Sequence, residues 1–90
     1  MEPTQLPGGD LIATGLDDLR RGLETVPSLL VSVGAPRLRR LGHTVPAVFP
    51  DPEHRLYALL ALEAPATAHS RYNALIRRLV SFERAAECGR

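Results

Sequence analysis

The sequence predicts an all-α fold, a compact bundle of four to five helices with a long C-terminal helix. Fifteen leucines against six valines and two isoleucines favour helices over sheets. Apolar residues recur at the three- and four-residue spacing of amphipathic helices, and prolines or glycines separate these stretches. A chain of 90 residues has room for one hydrophobic core, so we expect a single domain.

The first helix is predicted to follow a flexible lead-in over residues 1–9, which contains two prolines and two glycines. The helical domain then extends over residues 10–90. Asp10 suits the N-cap of this helix, which we expect to end near Glu24. Its apolar stripe consists of Ile12, Leu16, Leu19 and Leu23.

A broken pair of short helices is predicted next, from the positions of prolines and glycines. Pro27 suits the first turn of a helix that Gly34 would end in a left-handed cap. Pro36 would then restart a turn or two of helix, and Gly42 would stop it. The valines within residues 29–33 leave a short strand as the alternative.

The segment over residues 43–50 reads His-Thr-Val-Pro-Ala-Val-Phe-Pro. Its two prolines exclude a helix interior, although Val45, Val48 and Phe49 make it apolar. We therefore expect an extended, proline-rich strap that covers apolar surface of the bundle.

The third helical stretch has a distinct start and an unusually wide apolar arc. Asp51-Pro52-Glu53 supplies an N-cap acid, a first-turn proline and a second acid at the positive end of the helix dipole. The helix is expected to extend to Glu63 or Ala64, before Pro65. Four leucines and Tyr57 cover roughly 220° of its circumference, against about 100° for an ordinary surface helix. This helix should therefore be central in the bundle or shared with a second molecule.

The last helix is predicted from residues 66–70 to about Glu87, because neither glycine nor proline interrupts it. Its apolar face comprises Tyr72, Leu75, Ile76, Leu79, Phe82 and Ala86. Arg71 and Arg78 flank one border of that face, and Glu83 and Glu87 occupy the other. Borders of opposite charge suit pairing with another helix in a defined orientation.

Several function classes lack support in the sequence. Eleven arginines, no lysine and ten acidic residues give a net charge of +1, which argues against a general polyanion binder. The three histidines and Cys88 fit no metal-ligand spacing, so no metal site is expected. No G-x-S-x-G elbow or phosphate-binding loop is present, so we predict neither catalytic residues nor a cofactor. Without a signal peptide, a disulfide pair or a long apolar run, a cytoplasmic protein is expected.

These observations favour a non-enzymatic protein–protein interaction module. We expect a homo-oligomer, or a small regulatory or antitoxin-like subunit of a larger partner. The wide apolar arc of the third helix and the flanks of the last one suggest the surface. Its predicted partner-binding residues are Tyr57, Leu59, Leu62, Arg71 and Arg78.

A nucleic-acid-binding regulator is the alternative, because three arginines within four residues form a local positive patch. Its predicted contacts are Arg37, Arg39, Arg40 and His43. A helix-turn-helix over residues 28–41 fits poorly, since Pro36 begins the recognition helix and Arg40 replaces an apolar anchor. A small-ligand carrier with a cavity between the helices is a third interpretation.

Overall fold

Four α-helices and one short 3-10 helix make up the computed structural model, which describes residues 6–88. The elements are α1 (Gly9–Arg20), α2 (Val26–Arg40), α3 (Pro52–Glu63), the 3-10 helix (Pro65–Thr67) and α4 (Ala68–Cys88). The described residues contain no strand, so the all-α class is confirmed and the strand alternative at residues 29–33 is wrong. Residues 1–5 of the predicted lead-in and the last two residues of the predicted domain lie outside the described residues.

Helix α2 is the central element, because it packs against α1, α3 and α4. Its buried residues are Ser28, Leu29, Leu30, Val31, Ser32, Gly34, Ala35 and Leu38. The wide apolar arc of α3 does not place that helix at the centre, since only Leu56 and Leu60 of α3 are buried. The Cα radius of gyration is 12.5 Å, close to the ~12 Å of a compact domain of this size.

The predicted break in α2 is wrong, because the helix continues through Gly34 and Pro36. A Cβ atom on Gly34 would lie 2.8 Å from Leu79 Cδ1, so this glycine lets α4 approach rather than capping a helix. Pro36 leaves one main-chain hydrogen bond unmade. Packing of α2 on three sides outweighs that local cost.

Both ends of α2 have well-defined caps. The Thr25 hydroxyl accepts a hydrogen bond from the Ser28 N–H (3.2 Å), and the Ser28 hydroxyl accepts one from the Thr25 N–H (2.8 Å). The Thr25 hydroxyl also donates to Asp18 Oδ2 (2.6 Å), which ties the cap to α1. At the other end Gly42 has a φ of 98°, and the N–H of His43 donates to the Leu38 carbonyl. The prediction that Gly42 stops the helix is confirmed.

Helix α1 ends earlier than predicted. Gly22, with a φ of 73°, follows Arg21 in a left-handed cap, and the N–H of Leu23 donates to the Asp18 carbonyl. The chain therefore leaves the helix before Leu23. That side chain is 44% exposed instead of joining the apolar stripe.

The segment before α3, residues 43–49, is neither helix nor strand. Val45 is buried, and Val48 and Phe49 pack half-buried against the core. Asp51 adopts a left-handed conformation (φ 50°), and its side chain makes no cap hydrogen bond. The predicted capping role of Asp51 is therefore wrong, and α3 begins with Pro52 and Glu53 in its first turn.

Candidate functional site

Helix α3 presents an uncharged surface to solvent. Residues 56–62 contain no Asp, Glu or Arg, yet only Leu56 and Leu60 of this stretch are buried. Four of the others form what we call the outer face of α3, namely the exposed Tyr57, Ala58 and Leu62 and the half-buried Ala61. At 100° per residue they span an arc of about 140°.

Leu62 is the most exposed large apolar residue of the outer face, at 83%. Tyr57 is 40% exposed, and its ring centroid lies 5.7 Å from that of Tyr72 on α4. His69 belongs to the same cluster, with its ring centroid 6.5 Å from that of Tyr57. Leu62 lies about 140° around the helix from Tyr57, at the other edge of the outer face.

The structure does not bring all the predicted partner-binding residues together. Tyr57 and Leu62 share the outer face, whereas Leu59 lies about 60° beyond Leu62 around the helix, outside that arc, and packs half-buried against the core. Arg71 pairs with Glu63 of α3 through an Nη1–Oε1 distance of 3.2 Å.

Arg78 lies apart from that face as well. Its Nη2 is 3.6 Å from Asp10 Oδ1 at the start of α1. Glu83, predicted to lie on the acidic border of the apolar face of α4, is only 5% exposed and pairs with Arg37 of α2. Both charged borders of α4 are therefore engaged within the molecule.

The predicted arginine patch is divided among different partners. Arg37 lies between two carboxylates of α4, with Nη1 3.7 Å from Glu83 Oε1 and Nη2 2.7 Å from Glu87 Oε2. Arg39 donates hydrogen bonds to two main-chain carbonyls in the segment before α3, those of Val45 (3.3 Å) and Pro46 (3.1 Å).

The other two predicted nucleic-acid contacts lie nearby. Arg40 is exposed and lies close enough to Glu83 to act on its carboxylate electrostatically. His43 is half-buried, and its ring centroid is 5.6 Å from that of Phe82. Arg37 and Arg39 thus have separate acceptors, and Glu83 and Glu87 reduce the positive potential of the patch.

Glu83 is the charged residue that the sequence did not identify as buried. Burial raises its carboxyl pKa above the ordinary 4.5, although the guanidinium groups of Arg37 and Arg40 act to lower it. A signal was present, because Glu83 lies only about 40° from Leu79 on the helical wheel, within the apolar arc of α4.

Replacing Glu83 with glutamine should change how stability depends on pH. Because the folded-state pKa is raised, protonated Glu83 contributes stability below the unfolded-state pKa of about 4.3, and this is lost as pH rises through the folded-state pKa. The difference in the free energy of unfolding, wild type minus Glu83→Gln, should therefore decrease as the pH is raised from 4 to 7. Urea unfolding followed by circular dichroism at both pH values measures it.

Glu87→Gln is the matched control, since the Glu87 side chain is 62% exposed and pairs with the same arginine. Its free energy of unfolding should change little, because an exposed ion pair contributes little to stability. A wild-type advantage over Glu83→Gln that grows with pH would mean that attraction to Arg37 outweighs burial.

A groove runs between α2 and α4, above Gly34. We call it the α2–α4 groove. One part, with a volume of about 300 Å³, has apolar walls formed by Val33, Ile76, Leu79 and Val80. An adjoining part of about 320 Å³ is lined by Leu41, Glu87 and two arginines. Arg37 and Arg40 line both parts.

Within residues 6–88, no three His, Cys, Asp or Glu side chains are grouped so that they could hold a metal ion. None of the helices described above is long and apolar enough to cross a membrane. Comparison with known proteins finds no matching family model, no matching curated protein and no matching solved structure.

Proposed function

We propose that this chain is a non-enzymatic protein–protein interaction module that self-associates through the outer face of α3. The observation that carries the proposal is an uncharged helical surface with Leu62 83% exposed. Leaving such a surface in water costs about 25 cal/mol for each Å² of apolar area. Covering it with a second apolar surface recovers that free energy.

A second copy fits because the outer face is complementary to itself. In an antiparallel pair with a two-fold axis midway between Ala58 and Ala61, Tyr57 of each copy faces Leu62 of the other. The same axis places Ala58 opposite Ala61, and these small side chains let the two helices approach closely. No like charges meet, and a net charge of +1 gives little long-range repulsion between copies.

The dimer should be weak. Helix α3 has 12 residues and is about 18 Å long, so one helix pair falls short of the roughly 1,200–2,000 Å² buried in standard interfaces. We therefore expect association that depends on concentration. In a regulatory or antitoxin-like role, the same face would bind a larger partner in place of the second copy.

Replacing Leu62 with glutamate should abolish self-association. The new carboxylate would meet its symmetry-related copy across a small interface, or be buried beside Tyr57 of the partner, and either weakens association by about a hundredfold or more. Sedimentation equilibrium from about 10 µM to 1 mM should show the wild-type mass rising towards a dimer, while Leu62→Glu stays a monomer.

Leu23→Glu is the control, because Leu23 is also an exposed leucine but lies in the turn after α1. It should associate like the wild type. A wild type that stays monomeric throughout, or equal effects of the two substitutions, would reject the outer face of α3 as the interface.

The alternative proposal, a nucleic-acid-binding regulator that uses Arg37, Arg39 and Arg40, is weaker in this geometry. Glu83 and Glu87 flank Arg37, and Arg39 is engaged by main-chain carbonyls. Phosphate contacts would have to replace these interactions. Binding of a duplex at low salt, weakening steeply as salt is added, would favour this alternative.

A further inference from the structure

We infer that Glu53, Tyr57 and Tyr72 form a binding site for an arginine side chain of a protein partner. The guanidinium group would stack on the Tyr57 ring and pair with the Glu53 carboxylate. Because Tyr57 belongs to the outer face of α3, the inference rests on the proposed function and names the chemistry of a larger partner. A bound arginine and a second copy would exclude each other, since both cover the Tyr57 ring.

Two tyrosine rings form the apolar part of the site. Their centroids lie 5.7 Å apart and their planes are inclined at 56°, so the edge of one ring meets the face of the other. Tyr72 is half-buried, whereas Tyr57 is 40% exposed. Part of the Tyr57 ring is therefore open to solvent, while packing on Tyr72 limits its orientation.

Glu53 supplies the negative charge of the site. It precedes Tyr57 by four residues in α3, which places the two side chains on one face of the helix. Burial, and then the charge of the Glu53 carboxylate, raise the pKa of the Tyr72 phenol above its ordinary value. This carboxylate therefore lies close to both rings.

Glu53 has none of the ion pairs that engage the arginines near it in the sequence. Arg55 pairs with Glu24 at 2.8 Å, and Arg71 pairs with Glu63 at 3.2 Å. In the part of the chain that the structure describes, no ion pair joins Glu53 to a basic side chain. An exposed aromatic ring beside such a carboxylate attracts a cation from another molecule.

The arrangement of the rings favours a guanidinium group over other cations. A quaternary ammonium binds best inside a cage of rings, but the Tyr57 and Tyr72 rings are in contact and leave no room between them. A flat guanidinium needs only one ring face for stacking, and its edge donates paired hydrogen bonds to a carboxylate. A lysine ammonium is more strongly hydrated and cannot stack in this way.

N-acetyl-argininamide is a suitable probe, titrated at constant ionic strength while NMR follows the backbone amides and the tyrosine rings. Contacts of this kind at an exposed site are weak, so the dissociation constant should be on the order of 10 mM. Shifts should concentrate at Glu53, Tyr57 and Tyr72. N-acetyl-citrullinamide, which has nearly the same shape without the charge, should produce much smaller shifts there.

Substitutions separate the contributions of the ring and the carboxylate. Tyr57→Leu should weaken binding about threefold or more, whereas Tyr57→Phe keeps the ring and should bind like the wild type. Glu53→Gln should weaken binding about threefold. Asp51→Asn is the matched control, because Asp51 is an exposed carboxylate just before α3 and its left-handed conformation tolerates asparagine. Unchanged unfolding midpoints would show that each variant is folded.

The inference is overturned by absence of Tyr57 shifts, by equal binding of the citrulline compound, or by equal effects of Glu53→Gln and Asp51→Asn. Tighter binding of tetramethylammonium would also overturn it, because the site would then select a different cation. Association of a Leu62→Glu chain that Glu53→Gln abolishes would assign the arginine to a second copy instead of a different protein.

The Leu62→Ala variant keeps this test separate from the proposed self-association. It introduces no charge, and Leu62 lies at the opposite edge of the outer face from Tyr57. It should therefore bind N-acetyl-argininamide like the wild type. A failure of self-association would leave that result unchanged, so the two proposals can fail separately.

Discussion

Replacing Gly15 with alanine is expected to destabilise the fold by about 2–3 kcal/mol, although alanine favours a helix interior by about 1 kcal/mol. A Cβ atom on Gly15 would lie 2.4 Å from the Pro27 carbonyl oxygen and 2.5 Å from Val31 Cγ2. The carbonyl belongs to the backbone of α2 and cannot rotate away, so α1 and α2 would have to separate. Thermal unfolding should show a midpoint about 10–20 °C lower than the wild type.

Gly34→Ala provides the matched comparison, since it also places alanine inside a helix at a close contact. There the new Cβ would meet the ends of two side chains, Leu79 Cδ1 at 2.8 Å and Glu83 Oε2 at 3.2 Å. Flexible side chains can shift, so the loss should be clearly smaller than at Gly15. A stabilised Gly15→Ala variant, as helix propensity alone predicts, would contradict the close packing of α1 on α2.

Replacing Leu60 with alanine should cost about 2–5 kcal/mol. Leu60 of α3 is fully buried in the hydrophobic core, and a truncated side chain would leave a cavity there. The total stability of a domain of this size is about 5–13 kcal/mol, so the loss is a large share of it. Urea unfolding at low micromolar protein concentration measures the change without a contribution from association.

Leu62→Ala is the same substitution two residues later in the same helix. Because Leu62 is 83% exposed, the free energy of unfolding of the Leu62→Ala variant should differ from that of the wild type by no more than about 0.5 kcal/mol under those conditions. Comparable losses at the two positions would mean that α3 is rotated about its axis relative to the structure, and the outer face would then be misplaced.

Local sequence signals placed the boundaries of α3 and α4 correctly. Helix α4 has no internal glycine or proline, and its predicted start and end agree with Ala68–Cys88. Pro52 and the Ala64–Pro65 boundary likewise define α3. In α2 the signals of Gly34 and Pro36 were misleading, because packing against three helices decides the conformation there.

The candidate sites were less predictable, because they depend on contacts between distant residues. Arg37 and Glu87 are fifty residues apart, and no spacing in the sequence indicates that they meet. The uncharged run of α3 did identify Tyr57 and Leu62 as an unusual surface. It could not show that Leu59 turns towards the core, since that depends on where α2 and α4 lie.

The central claim is that the outer face of α3 meets its own copy, and an isotope-filtered nuclear Overhauser experiment tests it most directly. A mixture of ¹³C-labelled and unlabelled chains at about millimolar concentration reports only contacts between molecules. We predict cross-peaks from the Leu62 methyl groups to the Tyr57 ring, and from the Ala58 methyl to the Ala61 methyl. Intermolecular cross-peaks confined to other helices, or none from α3, would contradict the claim.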